Sequence, residues 1–431
     1  MLKEEAVSEA LEAPALSAPA GGQCGCRFCG TKLQHVFIDL GLSPLANSYL
    51  KKDDLAQDEA HYPLRVYVCS ECFLVQLEEW ETPENIFGDY AYFSSYSTSW
   101  LHHAKSYVSA MIDRFGFDHS KKVVELASND GYLLQYFVER GVPVLGIEPA
   151  RNVAEVARTK GIPTRADFFG EDTAKALREE GLQADLIIGN NVLAHVPDIN
   201  DFVGGIKILL SESGIVTMEF PHLMRLVAES QIDTIYHEHF SYLSFIAVET
   251  IFAAHGLTLF DVDELPTHGG SLRIYAQHDK TGPHKVSERV KDLRNREFDA
   301  GFADLGRYLA FEERAIQIRK KLLTFLEQAK AEGKRVVGYG APAKGNTLLN
   351  YCGITPDLLE YTVDLNPHKQ GRFLPGTHIP IHEPERIYIS KPDYILILPW
   401  NLKDEIMQQL SFARAWGAQF VVPIPEPQIV G

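Results

Sequence analysis

From residue 119 onward, short β-branched apolar runs alternate with segments whose apolar positions recur every three or four residues. The runs read as buried strands and the periodic segments as amphipathic helices. Strands are expected at 122–127, 144–148, 184–191 and 214–221, with helices at 133–140, 151–160 and 201–210 between them. Runs 257–265 and 271–278 have no helix between them, so they predict an antiparallel pair closing that sheet. Residues 286–331 are charged and amphipathic, which predicts one or two connecting helices. A second strand–helix series starts at Arg335 and includes runs 362–366, 392–400 and 419–426. Such alternation predicts α/β units with doubly wound sheets.

The first strand ends in the turn-forming group Ser128-Asn129-Asp130-Gly131 and a helix follows. A tight turn of this kind brings a ligand to a helix N-terminus. The second strand ends in Glu148, where a carboxylate can accept both hydroxyls of a ribose. Asn190 and Asn191 end the third strand, where open α/β sheets bind ligands, and His195 comes one turn later. These features indicate a nucleotide without saying which. The turn lacks G-x-G-x-x-G, which counts against NAD. The pattern E-x-A-S-N-D-G at 125–131, followed by G-I-E-P at 146–149, resembles the S-adenosylmethionine (SAM) site of class I methyltransferases, with Ala127 where a glycine is usual. That likeness implies cofactor contacts from Glu125, Ala127, Asn129, Asp130, Gly131, Glu148, Pro149, Asn190, Asn191 and His195. Asp167 and Phe168 are then expected beside the adenine.

Upstream, CRFC at 26–29 and CSEC at 69–72 form two C-x-x-C pairs. Each lets two thiolates leave one turn toward the same ion, and two such knuckles make a closed tetrahedral site. Structural zinc on Cys26, Cys29, Cys69 and Cys72 is the favoured reading, with disulfides or an iron–sulfur cluster as alternatives. The insert between the pairs is long and must fold over the site. Residues 1–22 are rich in Ala, Glu and Pro and read as a mobile tail.

Two further clusters carry candidate chemistry. Residues 83–100 are unusually aromatic, with Tyr90, Tyr92, Phe93, Tyr96 and Trp100, and either wall a pocket or cover a domain seam. A helix from about Ser99 to Arg114 follows. The stretch 233–244, DTIYHEHFSYLS, crowds Tyr236, His237, Glu238, His239 and Tyr242 into seven positions. Acid–base chemistry is favoured, because histidine titrates near neutral pH and neighbouring carboxylates tune it. In an extended segment His237 and His239 share a face, so a second metal and a hydrogen-bonded seam are the alternatives.

At 338–343, G-Y-G-A-P-A with Asp364 downstream resembles a dinucleotide fingerprint. The rival is a Rossmann-like unit using this turn on a substrate's phosphates, aided by Lys344 and Asn346. Pro342 and the shortness of 332–431 favour the rival.

Composition narrows the classes. A chain of 431 residues predicts two or three domains, and no apolar run reaches membrane-spanning length. The N-terminus is polar and acidic, so a cytoplasmic protein is expected. A net charge of −17 argues against non-specific nucleic-acid binding but leaves a nucleotide-linked substrate open.

Taken in order, CRFC…CSEC, ELASNDG, IEP, YHEHFSYLS, HGGSLR, GYGAPAKGN and DLNPHKQGRFLPGTHIPI resemble one family across nearly all of residues 24–431. These are the SAM-dependent C-methyltransferases of deoxysugar biosynthesis, which methylate a nucleotide-linked keto-sugar. The resemblance implies a zinc-binding domain at 23–82, an aromatic linker and helix at 83–118, and a class I methyltransferase domain at 119–285. Connecting helices at 286–331 and a C-terminal Rossmann-like substrate-binding domain at 332–431 complete the chain. It also implies sugar contacts from Tyr236, Glu238 and His239, with the histidine as base, and from Tyr90 or Tyr92. His237, Tyr242, His268, Gly340, Lys344, Asn346 and Asp364 are expected to line the substrate site. A monomer or small homo-oligomer is expected, with no nucleic-acid or membrane partner. Two other classes stay open: an NAD-dependent nucleotide-sugar oxidoreductase and a non-catalytic zinc-containing scaffold.

Overall fold

The computed structural model describes residues 25–82 and 93–431. Tyr90 and Tyr92, and the 1–22 tail, lie outside the described residues. The apolar runs of the central region form a seven-stranded sheet. Its order is Leu257–Leu265, Ser271–His278, Leu210–Pro221, Ala184–Asn190, Val123–Leu126, Val144–Ile147, Thr164–Arg165. Five of these strands are parallel, and the 257–265 and 271–278 pair is antiparallel, as expected from the missing helix. Strand order reverses between Val123–Leu126 and its neighbours, so a crevice opens at the carboxyl ends of these strands.

The C-terminal sheet runs Ile381–His382, Thr362–Val363, Val336–Tyr339, Tyr394–Ile397, Gln419–Val422, Gln428–Val430, with only the last strand antiparallel. Between the two sheets the chain makes three helices, Glu288–Asp299, Leu305–Leu309 and Glu312–Ala331, rather than one or two. Gly301, at φ +85°, terminates the first, and the Asp304 side chain caps the second.

The N-terminal sheet is antiparallel and four-stranded: His35–Ser43, Tyr62–Val68, Val75–Leu77, Ser241–Tyr242. Its fourth strand is the tail of the YHEHFSY segment, paired Val75 with Tyr242 and Gln76 with Ser241. Buried Glu297 secures the residues that follow, accepting from His222 Nε2 at 2.6 Å and from the backbone N–H groups of Phe245 and Ile246. The N-terminal strands share a core with the connecting helices and the C-terminal unit. Phe37, for example, stacks on Phe311 at 4.6 Å. Cys26 and Cys69 belong instead to the core of the central sheet. The long insert adds Leu33 to that core beside them. It reaches the C-terminal unit, where Leu50 bridges Phe373 and Asn346 donates to the Ala46 carbonyl.

Candidate active site

A cavity of about 570 Å³ opens above the crevice and is lined from the N-terminal, central and C-terminal units. Asn47 comes from the N-terminal insert, Trp100 from the helix Thr98–Phe115, and Lys344 and Lys369 from the C-terminal unit.

On one side lie the ends of the parallel strands. Ala127, Asn129, Glu148, Pro149, Asp167, Phe168, Asn190 and Asn191 all line the cavity. Ala127, Asn129 and Asn191 have φ of +52°, +48° and +54°, a strained left-handed backbone held by the surrounding packing. Glu148 ties the two turns together, accepting from the N–H groups of Asn129 and Ala150, each at 2.9 Å. Burial raises its pKa, against the pull of these donors. The Oδ1 atoms of Asn190 and Asn191 are buried and find no hydrogen-bond donor among the described residues. This surplus of acceptors suits a ligand that carries ribose hydroxyls and positive charge, and so fits SAM.

Three expected cofactor contacts stand behind this surface. Burial holds the pKa of Glu125 well above the carboxylate range, opposed by a hydrogen bond from Tyr132. The Asp130 carboxylate pairs with Lys160 at 2.9 Å. At Gly131, a Cβ would meet Ile162 Cδ1 at 2.2 Å, so that glycine serves packing and its φ of +76° rather than ligand approach.

Opposite these strand ends, Tyr236, Glu238 and His239 line the cavity together with His195 and His268. The 236–239 stretch is a tight turn closed by the His239 N–H on the Tyr236 carbonyl at 2.9 Å. His239 Nδ1 faces the Thr234 carbonyl at 2.8 Å, which can only accept, so Nδ1 carries the proton. Nε2 then offers a lone pair, and the Tyr236 hydroxyl, 2.8 Å away, donates to it. Burial pushes the His239 pKa well below its usual value, and His195 adds to this. The Glu238 carboxylate does not reach the histidine; it accepts from Asn47 Nδ2 at 2.6 Å.

His195, expected among the cofactor contacts, lines the cavity and also touches this group. Its Nδ1 donates to the Glu238 carbonyl at 2.7 Å and its ring meets His239 edge-on at 4.7 Å. Burial lowers its pKa to about 4. His268, on a left-handed backbone, meets the Trp100 ring at 5.2 Å. Its neighbour Thr267 is anchored on buried Glu219, which also accepts from His103 and Arg273. Burial opposes that charge, yet these donors hold the Glu219 pKa down to about 2.

Lys344 enters the cavity from the first turn of the helix Ala343–Cys352. Its ammonium lies 4.5 Å from the Trp400 ring and 3.1 Å from Asn401 Oδ1. The other expected substrate contacts lie outside the lining. His237 turns outward to the Pro63 carbonyl at 3.3 Å, which separates it from His239 and removes the second-metal alternative. Tyr242 is buried, with its ring 6.0 Å from that of His239. Asn346 Nδ2 donates to the Ala46 carbonyl while its Oδ1 finds no donor among the described residues, and Gly340 packs so closely on Pro399 that a Cβ would approach Cδ to 2.5 Å. Asp364 accepts from Ala341 N at 2.8 Å and from Asn366 N at 2.8 Å. The turn orients both Asp364 oxygens as the cofactor turns orient those of Glu148, and each keeps a lone pair for a further donor.

Away from the cavity, the sulfur atoms of Cys26, Cys29, Cys69 and Cys72 lie within 4.8 Å of one another. The pairs Cys26–Cys72 and Cys29–Cys69 are each 3.5 Å apart. Sulfurs on a tetrahedral zinc, with bonds of about 2.3 Å, stand roughly 3.8 Å apart, so the four thiolates fit that ion. Gln76 Nε2 donates to Cys26 Sγ at 3.2 Å. Among the described residues this is the cluster suited to a metal.

Sequence reasoning missed Asn47, Thr234 and the Glu219 network. They carry no motif, and only the positive φ at His268 and the buried charge of Glu219 mark the last of these in the structure.

Comparison with known proteins finds three family matches along the chain. Residues 26–87 match a family described as a putative zinc binding domain. Residues 100–262 match a methyltransferase domain and residues 266–425 a C-methyltransferase C-terminal domain. The chain is 37% identical over 406 residues to the C-methyltransferase NovU of Streptomyces niveus, covering 94% of this chain and 96% of that protein. A ubiquinone biosynthesis O-methyltransferase of Bartonella tribocorum is 26% identical over 96 residues, 22% of this chain and 39% of its own. Among solved structures, the magnesium protoporphyrin IX methyltransferase of Synechocystis PCC 6803 with bound SAM is 14% identical. It covers 41% of this chain and 78% of its own at a TM-score of 0.31. A putative SAM-dependent methyltransferase from Listeria monocytogenes is 13% identical, covering 41% and 99% at a TM-score of 0.32.

Proposed function

Because this chain belongs to the SAM-dependent sugar C-methyltransferase family, we propose that it methylates the carbon beside the ketone of a nucleotide-linked keto-deoxysugar. The observation that carries this reading is the sharing of one cavity by Glu148 and Asn190 on one side and Tyr236, His239 and Lys344 on the other.

When bound, SAM supplies an electrophilic methyl group, and Asn129, Glu148, Asp167, Phe168, Asn190 and Asn191 would hold it. The residues opposite make the carbon nucleophilic. His239 is kept neutral, so Nε2 can take the proton α to the ketone. As that proton arrives, Tyr236 turns its O–H from Nε2 to the developing enolate oxygen. Lys344 brings an amine to the same space; burial lowers its pKa while Asp233 favours its charged form, and when protonated it can draw on the oxyanion. Removing a proton from carbon leaves an enolate beside an imidazolium, an ion pair that low dielectric favours over either charge alone. The imidazolium, with its lowered pKa, returns its proton to solvent after turnover. Glu238, held by Asn47, is placed to accept a sugar hydroxyl. Asn47 and Lys344 together close the cavity with parts of the chain distant from the methyltransferase domain.

The test is calorimetric titration with SAM, followed by a screen of keto-deoxyhexoses carrying thymidine, uridine, guanosine or cytidine diphosphate. A methyl gain by mass, with tritium transferred from labelled SAM and no change in nicotinamide absorbance, is expected. Tight SAM binding with no methyl gain on any of them would refute the substrate assignment. Nicotinamide turnover would revive the oxidoreductase reading.

A further inference from the structure

Arg27 lies inside the first cysteine knuckle, yet its side chain leaves the metal cluster. The backbone there is fixed: the Arg27 N–H donates to Gln76 Oε1 at 2.8 Å, and Asn200 Nδ2 donates to the Arg27 carbonyl at 3.2 Å. Gln76 in turn contacts Cys26 Sγ, so the position of Arg27 follows from the knuckle. Its guanidinium donates through Nη1 to the Pro197 carbonyl and through Nη2 to the Leu77 carbonyl. It also lies over the Phe240 ring, 5.4 Å from its centre.

These contacts belong to the two walls of the reacting end. Pro197 lines the cavity two residues after His195, and Phe240 directly follows His239. Leu77 carries the brace further, since its own N–H donates to the Phe240 carbonyl at 3.0 Å. The walls also touch each other, through His195 Nδ1 on the Glu238 carbonyl.

We infer that Arg27 is a positioning residue for methyl transfer, by which the zinc knuckle sets the spacing of the 193–197 and 236–240 segments. A planar guanidinium holds two carbonyls at a fixed separation, which a single ammonium cannot do. Displacing a reacting group by about 1 Å can cost on the order of 10²-fold in rate. The cysteine site thereby contributes to the geometry of the chemistry as well as to folding. This inference rests on the reading of Tyr236–His239 as the reacting end.

The experiment compares the zinc-loaded parent with Arg27→Met and Arg27→Lys. Four quantities are measured: zinc per chain, SAM affinity, amide hydrogen exchange in 193–200 and 236–243, and kcat and KM with the keto-deoxyhexose nucleotide the parent accepts. Arg27→Met is expected to keep its zinc and bind SAM within about threefold of the parent. Exchange in both segments should rise, and kcat should fall roughly 10- to 100-fold at a nearly constant KM. Arg27→Lys should recover part of the loss. Parental exchange and parental kcat in a zinc-loaded variant would overturn the inference. If Arg27→Met loses zinc, Arg27→Lys decides by the same criteria. Faster exchange with an unchanged kcat would overturn the assignment of 236–239 as the reacting end, and the role of Arg27 in turnover with it.

Discussion

Tyr236 and His239 stand 2.8 Å apart, phenol oxygen to Nε2, on a turn that also pins the histidine's other nitrogen to the Thr234 carbonyl. The turn leaves the imidazole one tautomer and one free direction. Neutral-pH readiness in His239 therefore comes from burial and this pin. The neighbouring carboxylate of Glu238, engaged with Asn47, does not supply it.

If His239 takes the α-proton, His239→Asn should bind SAM normally and lose roughly 10²–10⁴-fold in turnover. Exchange of that proton with deuterated water, measured without SAM, should fall in parallel because it isolates proton removal. Tyr236→Phe should slow exchange less, since it removes a donor to oxygen and leaves the base. Exchange at the parental rate in the His239 variant would move the base to Glu238 or a phenolate.

Glu148 joins the two turns of the cofactor side and faces the cavity. Glu148→Ala is expected to weaken SAM binding by roughly 1.5–3 kcal/mol, the range for hydrogen bonds to a charged group. Glu148→Gln, which keeps one acceptor, should lose less. Calorimetry decides, and an affinity equal to the parent's in both would place the ribose elsewhere.

The four thiolates predict one zinc per chain. Cys69→Ser should lose the metal and become protease-sensitive, because Cys26 and Cys69 are built into the core of the central sheet. A zinc-free Cys69→Ser protein with parental activity and protease resistance would contradict a structural metal.

His237 offers a pH test that leaves the cavity untouched. Burial lowers its pKa from about 6.5 unfolded to about 4 folded. Between these values the unfolded chain binds more protons, so the contribution of His237 is complete above pH 6.5 and lost as pH falls toward 4. His237→Gln should therefore lose less stability than the parent between pH 7 and 4.5, in thermal denaturation curves. Equal losses would mean that His237 titrates normally in the fold.

Much of this protein was legible in its sequence. Continuous apolar runs and period-3.6 segments marked six of the seven strands of the central sheet, the antiparallel closing pair included, because short buried strands have to be apolar and β-branched. The C-x-x-C spacing identified the metal ligands, since two thiolates can share an ion only from a tight turn. The turn at 128–131 and Glu148 were readable for a similar local reason: strand, turn and acid are close in the chain.

What the sequence could not give was anything set by contacts between distant segments. Asn47 meets Glu238 across 191 positions, and Lys344 enters a cavity whose cofactor side is built at Ala127, Glu148 and Asn190, far earlier in the chain. His195 carries the same local signature whether it serves cofactor or substrate, and its contacts with the Glu238 carbonyl and the His239 ring were visible only in the tertiary structure. Asp364 and Gly340 satisfy a nucleotide fingerprint, yet neither lines the cavity, and Gly340 packs on Pro399 instead. The reason is the same in each case. Local periodicity determines which face of an element is buried, whereas the partner packed on that face, and the space left for a ligand, are decided by how the three sheets share their cores.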